Sequence, residues 1–134
     1  MDDLLRRCDA ITIHVPLTAE TTGMLGRSEF RLMKRGSYFI NTARGKIVDL
    51  AALREALANG PLAAAGLDVF EEEPFNADHP LLKLENIIVT PHVAFYSETS
   101  ARRVVNEAIE EVVRALQGQR PLNLVNPECY SFRR

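Results

Sequence analysis

A chain of 134 residues, 46% hydrophobic and 25% charged, has the size and composition of one globular domain and is unlike disordered or collagen-like sequence. Its 16 basic and 18 acidic residues leave a formal charge of -2, so it has no basic footprint for nucleic acid, and Arg6-Arg7 and Arg102-Arg103 read as solvated helix faces. With no apolar run long enough to span a bilayer, no secretory leader and two distant cysteines, Cys8 and Cys129, the expectation is a cytoplasmic protein with two unpaired thiols rather than a disulfide.

In chain order, Asp2 to Cys8 reads as the end of a short helix. Ala10 to Val15 reads as a strand stopped by Pro16, which has no N–H for a ladder. Ser28 is placed as the cap of a helix through Lys34, and Gly36 as the left-handed residue that ends it before a strand from Ser37 to Thr42. Asp49 caps a helix from Leu50 to Asn59 whose Leu50, Leu53, Ala56 and Leu57 share one face, and Gly60-Pro61 stops it. Ala63 to Val69 is the third strand. Phe70 to Leu84 is a loop with one helical turn at Pro80 to Leu84, and Ile87 to Thr90 is the fourth strand. These strands are nearly continuous apolar runs, which suits a parallel sheet covered on both faces, in sequential order with right-handed crossovers. The fold class is therefore α/β, about four parallel strands with flanking helices. The last helix carries a stripe of Ala101, Val104, Val105, Ala108, Ile109, Val112, Val113 and Leu116 opposite a face of both charge signs, so it reads as packing surface and not as a membrane helix. Gly118 stops it, and the tail from Pro121 is expected to be irregular.

Three stretches carry chemistry: Asn41-Thr-Ala-Arg-Gly45, Asp68-Val-Phe-Glu-Glu-Glu-Pro74 and Thr90-Pro-His-Val-Ala-Phe-Tyr-Ser97. Each follows a predicted strand, and in open parallel α/β sheets ligands bind beyond the carboxyl ends of the strands. Arg44, Asp68, Glu73 and His92 would thus converge on one rim as a candidate active site. Taken singly, Arg44 reads as a surface turn residue, Glu73 as one acid of a solvated loop and Asp68 as a strand-end cap. Taken jointly, their convergence outweighs those readings. His14, on an apolar strand, reads as a satisfied core histidine, and His79 as an exposed loop residue. No His, Cys or carboxylate pair has metal-ligand spacing on a shared helix, so no metal is expected.

The order of these motifs resembles the D-isomer-specific 2-hydroxyacid dehydrogenases, over the span from about Asp2 to about Val125. Within that family, Glu73 to Phe75 and Ala94 to Glu98 are similar to the branch of NAD-sensing co-repressors called C-terminal-binding proteins. The resemblance implies an NAD-dependent oxidoreductase, with NADP left open, acting between a small 2-hydroxy acid and its 2-keto acid. It implies His92 as acid/base, Glu73 as its partner and Arg44 as the cation for the substrate carboxylate. It also implies cofactor contacts at Val15, Pro16, Thr21, Thr42, Ala43, Arg44, Asp68, His92, Val93, Ala94 and Phe95, with Asp68 accepting from the nicotinamide carboxamide. Phe95 and Tyr96 depart from the small residues many members carry there. No Gly-x-Gly occurs in the chain, although a dinucleotide domain opens with Gly-x-Gly-x-x-Gly. The expectation is therefore the C-terminal half of a Rossmann-type doubly wound domain over 1–125, with a tail over 126–134, inactive alone and without bound dinucleotide. A first strand left as an open edge invites homo-oligomers. Two other readings stay open: a dinucleotide-sensing binding module, and a self-associating half-domain without activity.

Overall fold

Four short runs pair side by side in one parallel sheet: β1 (Ala10–Ile13), β2 (Ser37–Asn41), β3 (Leu62–Leu67) and β4 (Ile87–Val89), in sequential order. The computed structural model describes residues 1–132 and divides into one unit from Met1 to Ala94 and a second from Phe95 onward.

In the first unit the register sets Ile11, Phe39, Ala65 and Ile87 abreast, and Ile13, Asn41, Leu67 and Val89 in the next inward row. Helices α1 (Asp2–Arg7), α2 (Arg27–Leu32) and α3 (Leu50–Ala58) contribute Leu5, Phe30 and Leu53 to the same core. Phe30 meets Phe39 edge-on at 5.2 Å. The alternate residues Thr12, Tyr38 and Ile88 are exposed, Ile88 at 73%. Cover on both faces was expected; within this unit the helices lie on one face. Crossovers of one hand between strands in sequential order place every connecting segment on the same side. His14 shares the outward parity of Thr12; it is exposed, bonded through Nε2 to Thr12 Oγ1 at 2.9 Å, and is no core histidine.

Capping chemistry decides the helix ends. Asp49 Oδ1 accepts from Ala51 N at 2.9 Å and Ala52 N at 3.0 Å, which starts α3 where expected. The cap of α2 is Gly26 instead of Ser28, because the Glu29 carboxylate reaches back to Gly26 N at 3.0 Å; Ser28 lies in the first turn and donates to the same carboxylate. Gly36 takes the left-handed φ of 84° assigned to it. Pro80–Lys83 forms one 3-10 turn. His79, expected to be merely exposed, opens that turn: it is half-buried, accepts from Leu81 N through Nδ1 at 3.2 Å and lies 5.1 Å from the Phe75 ring.

The second unit holds α4 (Glu98–Leu116), which begins three residues before Ala101 because Ser97 Oγ accepts from Ser100 N at 3.0 Å. Its apolar stripe is exposed, and Gly118 ends it at φ 72°. Beyond it, Glu111 accepts from Leu122 N at 2.9 Å. A 3-10 helix spans Pro127–Phe132, so the tail is less irregular than expected. Among the described residues no helix is long and apolar enough to cross a membrane, and Cys8 and Cys129 are free thiols.

Candidate active site

All four strands end in one row, since Ile13, Asn41, Leu67 and Val89 are mutual partners and each is the last residue of its strand. The sequence reading carried the strands one or two residues further. The next residues, His14, Thr42, Asp68 and Thr90, therefore leave the sheet together at its carboxyl rim.

After β2 the buried side chain of Asn41 knits the turn: Oδ1 accepts from Ala43 N at 3.0 Å and Nδ2 donates to the Arg44 carbonyl at 2.9 Å. This Asx-type closure leaves the Arg44 side chain exposed, with Nη1 donating to the Ala43 carbonyl at 2.6 Å. Gly45 then crosses the loop after β3 so closely that an added Cβ would lie 1.9 Å from the Phe70 carbonyl carbon. The Asn-Thr-Ala-Arg-Gly motif is thus partly architecture, in which Asn41 and Gly45 hold the backbone and Arg44 is presented.

After β3, Asp68 is buried, 4% exposed. Its Oδ1 accepts from Val93 N at 2.8 Å and from the Thr90 hydroxyl, and its Oδ2 accepts from Ala94 N at 2.9 Å. Burial by itself pushes this carboxyl up. The bonds from Thr90, Ala94 and Val93, with the nearby His92 charge, together outweigh burial and hold it below the usual range.

Glu73 completes the constellation. Its Oε1 accepts from Phe70 N at 3.1 Å, and its Oε2 stands 2.8 Å from His92 Nδ1. The bond to His92, then the Phe70 N–H, hold the Glu73 carboxyl below its ordinary value. The two side chains are 38% and 42% exposed, so the pair adds little to stability and its chief effect is on the ring. An ionised Glu73 takes Nδ1 as its donor, which leaves Nε2 turned away from this bond.

Two grooves flank this loop cluster. One, of about 510 Å³, is lined by His14, Val15, Pro16, Leu17, Thr42, Ala43 and Arg44. The other, of about 210 Å³, is lined by Phe70, Glu73, Phe75, Val89, Thr90, Pro91 and His92. Five of the sequence-assigned cofactor residues, Val15, Pro16, Thr42, Ala43 and Arg44, thus share one groove. Thr21 plays a different part, since its hydroxyl donates to the Pro16 carbonyl at 2.7 Å and accepts from Thr18 N at 2.7 Å, which shapes the loop behind that groove. Val93 and Ala94 turn their N–H groups to Asp68. Phe95 belongs to the second unit, 60% exposed, with its ring edge-on to Tyr96 at 6.3 Å. The structure joins Glu73 to His92 directly, while Arg44 bonds its own turn. Sequence reasoning missed Asn41, Gly45 and the bond of Thr90 to Asp68; only the strand-end Asn41, as a turn former, carried a readable signal. Among the described residues no group of three or more His, Cys, Asp or Glu could hold a metal ion.

Residues 1–94 match the family model described as D-isomer specific 2-hydroxyacid dehydrogenase, NAD binding domain. A glyoxylate reductase of Aeropyrum pernix is 47% identical over 133 residues, 99% of this chain and 40% of that protein. The D-lactate dehydrogenase of Lactobacillus jensenii, solved with NAD+, superposes with a TM-score of 0.83 at 34% identity, covering 92% of this chain and 41% of that one. A D-isomer specific 2-hydroxyacid dehydrogenase of Xanthobacter autotrophicus Py2, solved with NADPH and MES, gives 0.78 at 38% identity, covering 96% of this chain and 52% of that one. The chain thus spans about 40% of the length of the curated reductase it matches.

Proposed function

The chain belongs to the D-isomer-specific 2-hydroxyacid dehydrogenase family, and on that premise we propose that the intact protein carrying it moves a hydride between NAD(P)H and a small 2-keto acid, giving the 2-hydroxy acid. The observation that carries this reading is the 2.8 Å bond between His92 Nδ1 and Glu73 Oε2, set on loops that leave parallel strands at their carboxyl ends. In this reading residues 1–125 form the C-terminal half of the cofactor domain and 126–134 its tail. The protein would be cytoplasmic and homo-oligomeric.

The groove between the ends of β1 and β2 fits the nicotinamide half of a dinucleotide. Val15, Pro16, Thr42 and Ala43 supply a mixed apolar and backbone wall, and Arg44 supplies a cation at its mouth. Asp68 Oδ2 accepts one bond from the loop and has a further lone pair for a carboxamide N–H. When bound, the dinucleotide supplies or accepts the hydride at the substrate C2. The chain's own residues do the rest. Arg44 grips the substrate carboxylate with its planar fork and its charge favours the developing C2 oxyanion. His92 Nε2 delivers the proton to that oxygen in reduction and takes it back in oxidation. Glu73 holds Nδ1–H and so fixes which nitrogen faces the substrate. Following NAD(P)H absorbance with the intact protein and a panel of small 2-keto acids, glyoxylate included, tests the reading. No turnover of any of them with either dinucleotide would overturn it. The co-repressor-like reading of Glu73 to Phe75 and Ala94 to Glu98 rests on sequence likeness alone.

Two substitutions probe the roles. Arg44→Lys keeps the charge but loses the fork, so kcat/KM for the keto acid is expected to fall about 10- to 100-fold, chiefly through KM. An unchanged KM would return Arg44 to the part of a turn residue. Glu73→Gln is expected to lower kcat by about 10- to 100-fold through loss of ring orientation. It should also change the acid limb of stability. A carboxyl held low in the folded state contributes stability that is present above its unfolded pKa, about 4.3, and is lost as pH falls through the lower folded value. Thermal melts of the parent should therefore carry a loss on the acid side of about pH 4.3 that the Gln variant lacks. Superimposable pH–stability curves would show that the bond contributes nothing.

A further inference from the structure

His92 has a φ of 56°, the only positive φ of a non-glycine residue among those described. A residue with a Cβ avoids this region unless its surroundings impose it. Chief among the groups bonded to the backbone neighbours of His92 is one carboxylate. Asp68 takes Val93 N on Oδ1 and Ala94 N on Oδ2, the two N–H groups that follow His92. Successive N–H groups around a left-handed residue form a concavity suited to an anion, and here a side-chain carboxylate from the neighbouring strand end fills it. On the other side of His92, the Thr90 hydroxyl donates to the same Oδ1, while His92 N bonds the Thr90 carbonyl at 3.1 Å. His92 is thus bracketed two residues before and one and two residues after by one group. That group is buried and anchored where Asp68 N meets the Asn41 carbonyl at 3.0 Å.

We propose that Thr90 is a positioning residue for His92, acting through Asp68: its hydroxyl orients the carboxylate that holds the His92 backbone left-handed, and that backbone directs the ring to Glu73. The inference rests on the acid/base reading of His92 given above. Thr90 lines the groove beside the pair, and its described side-chain bond goes to Asp68. Its effect should therefore fall on the placement of the ring and, through Asp68, on the dinucleotide, but not on the binding of the keto acid.

Thr90→Val removes the donor at nearly constant shape from an exposed position, and Thr90→Ser keeps the donor. In the intact protein the Val variant should lower kcat for keto-acid reduction about 10-fold, with KM for the keto acid within about twofold, since small misplacement of a catalytic group costs rate before affinity. The Ser variant should remain within about threefold of the parent. A second readout does not depend on turnover: the downfield proton resonance of His92 Nδ1–H bonded to Glu73 should persist in parent and Ser variant and vanish or broaden in the Val variant. Parent-like kcat in Thr90→Val overturns the proposal. So does an equal loss in Val and Ser variants, and so does a fall in kcat with the Nδ1–H resonance intact. If Thr90→Val does not fold, Thr90→Ala carries the same two readouts. Activity retained in His92→Ala would instead overturn the acid/base reading, leaving the resonance to decide the positioning claim by itself.

Discussion

Replacing His92 by alanine in the intact protein should lower kcat in both directions by about 10²- to 10⁴-fold, with KM for the dinucleotide nearly unchanged. The size follows from what the ring alone provides. Reduction of a keto acid needs a proton at the C2 oxygen as the hydride arrives, and oxidation needs its removal. At the rim, His92 is the imidazole, and its Nδ1 is held by a carboxylate at 2.8 Å while Nε2 is left for the substrate. The neighbouring acids cannot replace it. Asp68 is buried against three donors, and Glu73 is held ionised by His92 and Phe70 N–H. Steady-state kinetics in both directions, with circular dichroism to confirm folding, checks the prediction. A rate within about threefold of the parent would reduce the His92–Glu73 contact to an ordinary half-exposed ion pair, of the kind that contributes little.

Gly45→Ala should be the most destabilising single-methyl change in the site. An added Cβ would stand 1.9 Å from the Phe70 carbonyl carbon, 2.1 Å from its oxygen and 2.4 Å from Glu71 N. All three are backbone atoms, so no rotamer change relieves the clash. The Phe70 segment cannot retreat freely, because Val69 and Phe70 are buried and Phe70 N holds Glu73. Either the turn after β2 lifts from the turn after β3 or the core under them opens. The expected cost is about 3 kcal/mol or more, a fall in melting temperature on the order of 10 °C or more. Activity should fall further than stability explains, since Arg44 precedes the displaced glycine and Glu73 hangs from the displaced Phe70. A melting temperature within about 2 °C of the parent would show that the two loops are not in the contact described.

How much of this could be read from residues alone varies with the interaction involved. Strand order and the cap at Asp49 were legible, because local propensity and pattern decide them, and Glu73 meets His92 as the motif likeness implied, whereas Arg44 bonds its own turn. The one-sided cover of the sheet was not, since an apolar run of Ala, Ile and Gly carries the same pattern whether its alternate face is covered or open. His14 and His79 were misplaced for a related reason. Parity within a short strand fixed the first, and a bond to Leu81 N fixed the second, and neither is visible in composition. Gly45 looked like any turn glycine; its obligation comes from Phe70, distant in sequence. Asp68 was assigned by likeness to a contact with the cofactor, while the bonds it makes to Thr90, Val93 and Ala94 span more than twenty residues and had no local signature.

The level row of strand ends makes strand length itself a gauge for the chemistry. One residue added to β3 would advance its end by about 3.3 Å and reverse the facing of everything beyond it. That step exceeds the whole 2.8 Å over which Glu73 reaches His92. Side chains along the loops can be exchanged one at a time and cost rate in proportion, but an insertion or deletion inside β2, β3 or β4 would put the parts on different levels at once. Drift in this protein should therefore accumulate as replacements, with changes of length confined to segments outside the ladder and clear of Gly45, Glu73 and His92.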